Sequence, residues 1–105
     1  MNETGYKKHI TDRLEELFPG CVILRGDSSY NQGIPDIFIL WNSFWAALEF
    51  KIHPRARIQA NQEYYVNRLN DMSFAAFIHP GNEEDILYAL EQAFKTSRRT
   101  RISKS

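Results

Sequence analysis

The chain has 105 residues and no formal net charge, with 13 Lys and Arg against 13 Asp and Glu. Hydrophobic residues at 43% and aromatics at 13% exclude a disordered chain and fit one globular domain. No apolar run approaches the roughly 20 residues of a membrane span, and the N-terminal residues lack the apolar stretch of a secretory signal. A lone cysteine, Cys21, cannot form an internal disulfide and fits a reducing cytosol. With three scattered histidines and one cysteine, a structural zinc site of ordinary spacing is also excluded. The zero net charge hides an asymmetry. Residues 1–94 hold all 13 acids and eight bases, whereas residues 95–105 hold Lys95, Arg98, Arg99, Arg101 and Lys104 and no acid. The expectation is an acidic folded domain, 1–94, followed by a flexible basic tail, 95–105.

Residues 3–18 read as a helix, because Tyr6, Ile10, Leu14 and Leu17 recur on one helical face and Pro19-Gly20 ends the pattern. At about 100° per residue, Glu3 falls within that stripe and is expected to point inward. Cys21 to Arg25 reads as a strand, Gly26 to Gly33 as a polar loop containing Tyr30, and Ile34 to Leu40 as a second strand. Trp41-Asn42-Ser43 is a tight turn, and Phe44 to Ile52 is a third strand. Alternation on that strand puts Phe44, Ala46, Leu48 and Phe50 on one face and Trp45, Ala47, Glu49 and Lys51 on the other. A loop over 53–58 carries His53, Arg55 and Arg57. A second helix, about Gln59 to Asn70, turns Tyr65, Val66 and Leu69 inward, with Gln62 extending the stripe. Ser73 to His79 is a fourth strand closed by Pro80-Gly81. A third helix follows, with Asn82 as its cap, Glu83, Glu84 and Asp85 at its positive end, and Ile86, Leu87, Leu90 and Phe94 as its apolar stripe. The predicted fold is α/β in the order αβββαβα, a mixed four-stranded sheet flanked by helices.

Three charges interrupt apolar strands: Asp36 within Ile34–Leu40, and Glu49 and Lys51 within Ala46–Ile52. A charge in a buried strand is costly unless it is paired or bound to a metal. A hairpin would set Asp36 beside Glu49 and Lys51. Two carboxylates converging at a sheet edge suit Mg²⁺, and a neighbouring lysine can orient or deprotonate a water or hold a phosphate. Taken alone, Glu49 and Lys51 read more simply as a solvated strand face, with Asp36 in a turn. The inward phase of Glu3 and Gln62 turns the balance toward a site.

Pro35-Asp36 followed thirteen residues later by Glu49-Phe50-Lys51, in this element order, resembles the PD-(D/E)xK nuclease superfamily. Gly33-Ile34-Pro35-Asp36-Ile37, Leu48-Glu49-Phe50-Lys51 and Asn61-Gln62-Glu63-Tyr64-Tyr65 look most like the small stand-alone VRR-NUC and phage-type nucleases, relatives of Holliday junction resolvases. Phe74-Ala75-Ala76-Phe77-Ile78 adds to the likeness. The resemblance covers residues 3–94 and implies a restriction-endonuclease-like core. It implies that Asp36, Glu49 and the Phe50 carbonyl bind Mg²⁺ or Mn²⁺, that Lys51 positions or activates water, that Gln62 supports the site, and that Glu3 is the helix-one glutamate, direct or through water. His53, Arg55 and Arg57 beside the motif, Tyr30 in the preceding loop, and Arg98, Arg99 and Arg101 in the tail are the expected nucleic-acid contacts. Each has an ordinary alternative, as solvated loop, loop anchor or solubilising end.

The function this implies is metal-dependent hydrolysis of DNA phosphodiester bonds, on branched or structured DNA, by a homodimer in the cytoplasm (the host's, if the chain is phage-encoded). The alternatives are a nucleic-acid-binding module that keeps the fold without cutting, and a structural protein whose strand charges pair with one another.

Overall fold

The computed structural model describes residues 2–53 and 55–104, with side chains through Lys95. The element order is α1 (Glu3–Leu17), β1 (Val22–Arg25), β2 (Ile37–Trp41), β3 (Phe44–Phe50), α2 (Ala60–Met72), β4 (Phe74–Ile78) and α3 (Glu83–Lys104). This is the expected αβββαβα layout, an α/β fold with a mixed sheet. The strands lie in the order β1-β2-β3-β4. β1–β2 and β2–β3 are antiparallel, the second pair joined by a two-residue turn in which Asn42 takes a left-handed conformation (φ 56°). β3 and β4 are parallel, and α2 supplies the crossover that parallel strands require.

Register sorts the strand residues onto two faces. Ile37, Ile39, Ala46, Leu48, Phe50 and Ile78 pack with Tyr6, Ile10 and Leu14 of α1 and Leu87, Leu90 and Phe94 of α3. On the opposite face Ala47 and Ala75 pack beneath Val66 of α2, with Phe38, Leu69 and Phe77 around them. Glu49, the next residue of β3 on this face, is therefore carried under the start of α2. Trp41, half-buried, stacks on Phe94 at 15° between planes and donates its indole N–H to the Pro19 carbonyl, which ties the end of β2 to α3 and to the turn after α1.

The first and third helices are clamped by ions. Glu83, buried at the start of α3, accepts Arg13 Nη1 at 2.7 Å and lies 2.8 Å from His9 Nε2. Burial alone would raise the Glu83 carboxyl, but the bonds from Arg13 and His9 outweigh it and hold the group below its usual range. The Tyr6 hydroxyl, buried without a well-formed hydrogen bond, is pushed well above its usual range by burial and by the nearby Glu83 charge.

Three expectations need correction. β2 begins at Ile37, not Ile34, because Pro35 has no N–H for the ladder; Asp36 precedes the strand, its carbonyl accepting Gly26 N–H at 2.8 Å. Asn82 stands at the cap position of α3, its carbonyl accepting Ile86 N–H at 3.0 Å, but its side-chain oxygen accepts His79 N–H instead of a helical N–H. The backbone of α3 continues through residues 95–104, read from the sequence as a flexible tail. That segment lacks Gly and Pro, Lys and Arg are good helix formers, and cations suit a helix C-terminus. The side chains of Arg98, Arg99 and Arg101 lie outside the described residues. Among the described residues no helix is long and apolar enough to cross a membrane.

Candidate active site

The site forms where β2 begins and β3 ends. Asp36 Oδ2 accepts the Phe50 backbone N–H at 2.9 Å, tying the loop before β2 to the last residue of β3. The Phe50 ring packs edge-on against Tyr6 in the core, so only its backbone faces the site. The loop itself is seated by Gly33 (φ 91°): a Cβ there would lie 2.7 Å from Asn61 at the start of α2. Gly33-Ile34-Pro35-Asp36 is thus pressed against the same helical turn that carries Gln62.

From the α2 side, Gln62 links the other two motif residues. Its Nε2 donates to Glu49 Oε2 at 3.1 Å, and its Oε1 accepts Lys51 Nζ at 2.9 Å. The same Oε1 accepts the backbone N–H of Gln59, which fixes the amide at the third position of the helix. Lys51 Nζ also donates to the Arg57 carbonyl at 3.0 Å. These bonds occupy two of the three ammonium N–H groups and leave one for a further acceptor.

Glu49 is only 5% exposed. Burial, and next the facing Asp36 carboxylate, push its carboxyl up to about 8, while Lys51 and Lys7 act the other way. Two acids facing each other in a half-buried pocket repel, and a cation between them relieves the repulsion. The cation nearest to hand belongs to the protein: Lys7 Nζ of α1 lies 3.5 Å from Asp36 Oδ1 and 5.9 Å from the Phe50 ring centre. Sequence reading missed this lysine. Its position one residue from Tyr6 on the buried stripe is the only signal that points to it.

Asp36, Glu49, Lys51 and Gln62 are brought together as expected. Glu3 is not. Its side chain is 63% exposed and, among the described residues, reaches only Lys7, at 3.9 Å. It opens α1, whose first residue to reach the core is Tyr6, so a correct helical phase has nothing to pack against at position 3. Among the described residues no group of three or more His, Cys, Asp and Glu side chains is arranged to hold a metal. The fitting donor set is smaller: two facing carboxylates and the backbone at Phe50. It suits Mg²⁺, which is commonly held by one or two carboxylates with waters and substrate phosphate.

Of the expected nucleic-acid contacts, His53, Arg55 and Arg57 are exposed on the loop that closes over Lys51. None forms an ion pair among the described residues. Tyr30 is 85% exposed, which removes its reading as a loop anchor. Tyr64, also exposed, rests edge-on against Tyr65. No family model, curated protein or solved structure matches this chain.

Proposed function

We propose that the protein is a divalent-metal-dependent nuclease of the PD-(D/E)xK type that hydrolyses phosphodiester bonds in DNA, with branched or otherwise structured DNA as its substrate. The observation that carries this reading is the convergence of Asp36 and Glu49 beside a lysine that Gln62 holds in place. An ordinary surface would leave the two acids apart. Here one acid is buried and raised, and the two face each other.

Asp36 and Glu49, with the Phe50 backbone, are the residues to hold Mg²⁺ or Mn²⁺. When bound, that ion would supply positive charge to the transferring phosphoryl group and acidify a water. Lys51 serves the nucleophile: its free N–H orients the attacking water or the phosphate oxygen, and its fixed bonds to Gln62 and Arg57 keep the ammonium from wandering. Gln62 sets the distance between that lysine and Glu49. Lys7 holds Asp36 in the ion-free protein and is close enough to share its charge with a substrate phosphate. His53, Arg55 and Arg57, with Tyr30, would contact the nucleic acid around the cut. Glu3 has no part that its position supports beyond pairing with Lys7.

Resolving a junction requires two cuts, and a two-fold dimer supplies two sites. The edge strand β1, with Val22 and Leu24 exposed next to Leu40, is the surface that favours such pairing. Sedimentation at micromolar concentration tests this, and a monomer both with and without DNA would remove it.

The second reading, a binding module that does not cut, draws on the occupation of Asp36 by Lys7. Incubation of labelled DNA with Mg²⁺ or Mn²⁺ separates the two. Binding without any cleavage, in every metal and substrate tried, would favour the module.

A further inference from the structure

A cleft of about 500 Å³ opens between α1 and the β1–β2 edge, on the opposite side of Asp36 from Gln62. Thr4, Lys8, Thr11 and Glu15 lie along one stripe of α1 and line it, with Lys7 beside them. Ile23, Arg25, Gly26, Asp36 and Ile37 form the facing wall. From Thr4 to Glu15 the helix advances about 16 Å.

The cleft is polarised. α1 and β1 run in opposite directions, since Cys21 Sγ meets the Leu14 carbonyl at one end, while at the other Gly26 N–H bonds the Asp36 carbonyl and the Asp36 carboxylate meets Lys7 of α1. Arg25 pairs with Ile37, so it stands next to Asp36. Lys7, Lys8 and Arg25 therefore gather at the end nearest the candidate active site, and the acid Glu15 lies at the far end. Lys7 is paired with Asp36 and Glu3, and Lys8 with Asp12 at 3.2 Å. The Lys8–Asp12 pair is exposed and one helical turn long, so it is worth little and leaves the ammonium free to turn. Arg25 makes no ion pair among the described residues. Hydroxyls of Thr4 and Thr11 and the apolar side chains of Ile23 and Ile37 complete the lining.

We propose that this cleft is a subsite for the DNA nucleotide flanking the scissile bond, its phosphate held by Lys8 and Arg25 and its sugar laid against Ile23 and Ile37. The inference rests on the nuclease reading for the name of its ligand, but not for its test. A 500 Å³ cleft with cations at one end and an apolar floor matches a nucleotide, which is anionic at the phosphate and presents C–H groups along its deoxyribose. Its cationic end opens directly onto Asp36, so a strand seated there enters the site.

The test is fluorescence anisotropy of labelled single-stranded and junction DNA with the full chain in Ca²⁺, at several salt concentrations, with cleavage in Mg²⁺ measured in parallel. Lys8→Ala and Arg25→Ala are each expected to weaken binding several-fold, and the pair by about tenfold or more. Each should also reduce the slope of log K against log salt by about one. Arg68→Ala, an exposed cation on α2, should change neither. Unchanged affinity and slope in the double variant, with wild-type DNA binding intact and the melting temperature unaltered, overturns the subsite. So does a wild-type chain that binds no DNA. Binding that depends on Lys8 and Arg25 without any cleavage upholds the subsite and defeats the nuclease reading.

Discussion

The Lys51 ammonium and the Glu49 carboxylate do not meet directly; the Gln62 amide stands between them, accepting from one at 2.9 Å and donating to the other at 3.1 Å. A direct pair would neutralise both groups. The interposed amide leaves the acid able to bind a cation and the lysine one unused N–H. Gln62→Ala should therefore lower kcat by about 10–100-fold, the range for lost support behind a metal site. DNA affinity should stay near wild type, and the loss in stability should be about 1 kcal/mol. Steady-state kinetics with a parallel binding titration checks this, and an unchanged kcat would mean the amide is only a helix cap.

The raised Glu49 carboxyl gives the ion-free protein an unusual pH profile. Below its ordinary value of 4.5 the group is protonated in both folded and unfolded chains and contributes nothing. Between 4.5 and about 8 the unfolded chain has lost the proton that the folded chain keeps. The proton balance then makes stability fall as pH rises, by up to about 1.4 kcal/mol per pH unit. In EDTA the melting temperature should drop from pH 5.5 to 8, Mg²⁺ should restore it at pH 8, and Glu49→Gln should flatten the profile. A melting temperature that climbs over this range, or an identical slope in Glu49→Gln, contradicts the assignment.

Asp36→Asn separates a metal site from a structural ion pair. Asparagine keeps an oxygen for the Phe50 N–H while removing the charge that faces Glu49. Without metal its melting temperature should equal or exceed that of wild type, and the Mg²⁺-induced increase should vanish. A fall of 4–8 °C, about 1 kcal/mol for a domain of this size, would mean that the Asp36–Lys7 pair is structural.

The Glu83 clamp is expected to matter for stability alone. Arg13→Ala leaves a buried carboxylate short of its main partner and should cost about 2–3 kcal/mol. Thermal denaturation reads the loss. Cleavage by the fraction still folded should match wild type, since Arg13 makes no contact with Asp36, Glu49 or Lys51 in the ion pairs and hydrogen bonds described.

Periodicity located α1 and β3, which bury continuous stripes, Tyr6, Ile10 and Leu14 in the first and Ala46, Leu48 and Phe50 in the second, whereas β1, with Val22 and Leu24 exposed, was legible only as a short apolar run after Pro19-Gly20. The charges that interrupt those stripes, Asp36 and Glu49, were equally visible. Glu3 misled because phase gives direction but not reach, and the first turn of α1 lies beyond the packed core. Lys7 stayed hidden because a lysine beside a buried stripe looks like any solvated one until the β2 loop brings Asp36 to it. Arg25 was equally silent, being an ordinary strand-end cation whose setting comes from the antiparallel run of α1 and β1. The helical backbone beyond Phe94 was missed because like charges suggested repulsion, whereas the local propensity of Arg and Lys favours a helix.

The most direct test is cleavage of labelled four-way, fork, flap and linear DNA by the wild-type chain, Asp36→Ala and Lys51→Ala in Mg²⁺ and Mn²⁺. The wild-type chain should cut at least one structured substrate, only with divalent metal, and each variant should lose about 100-fold or more of that activity. No cleavage of any substrate, or cleavage by the two variants at the wild-type rate, contradicts the account.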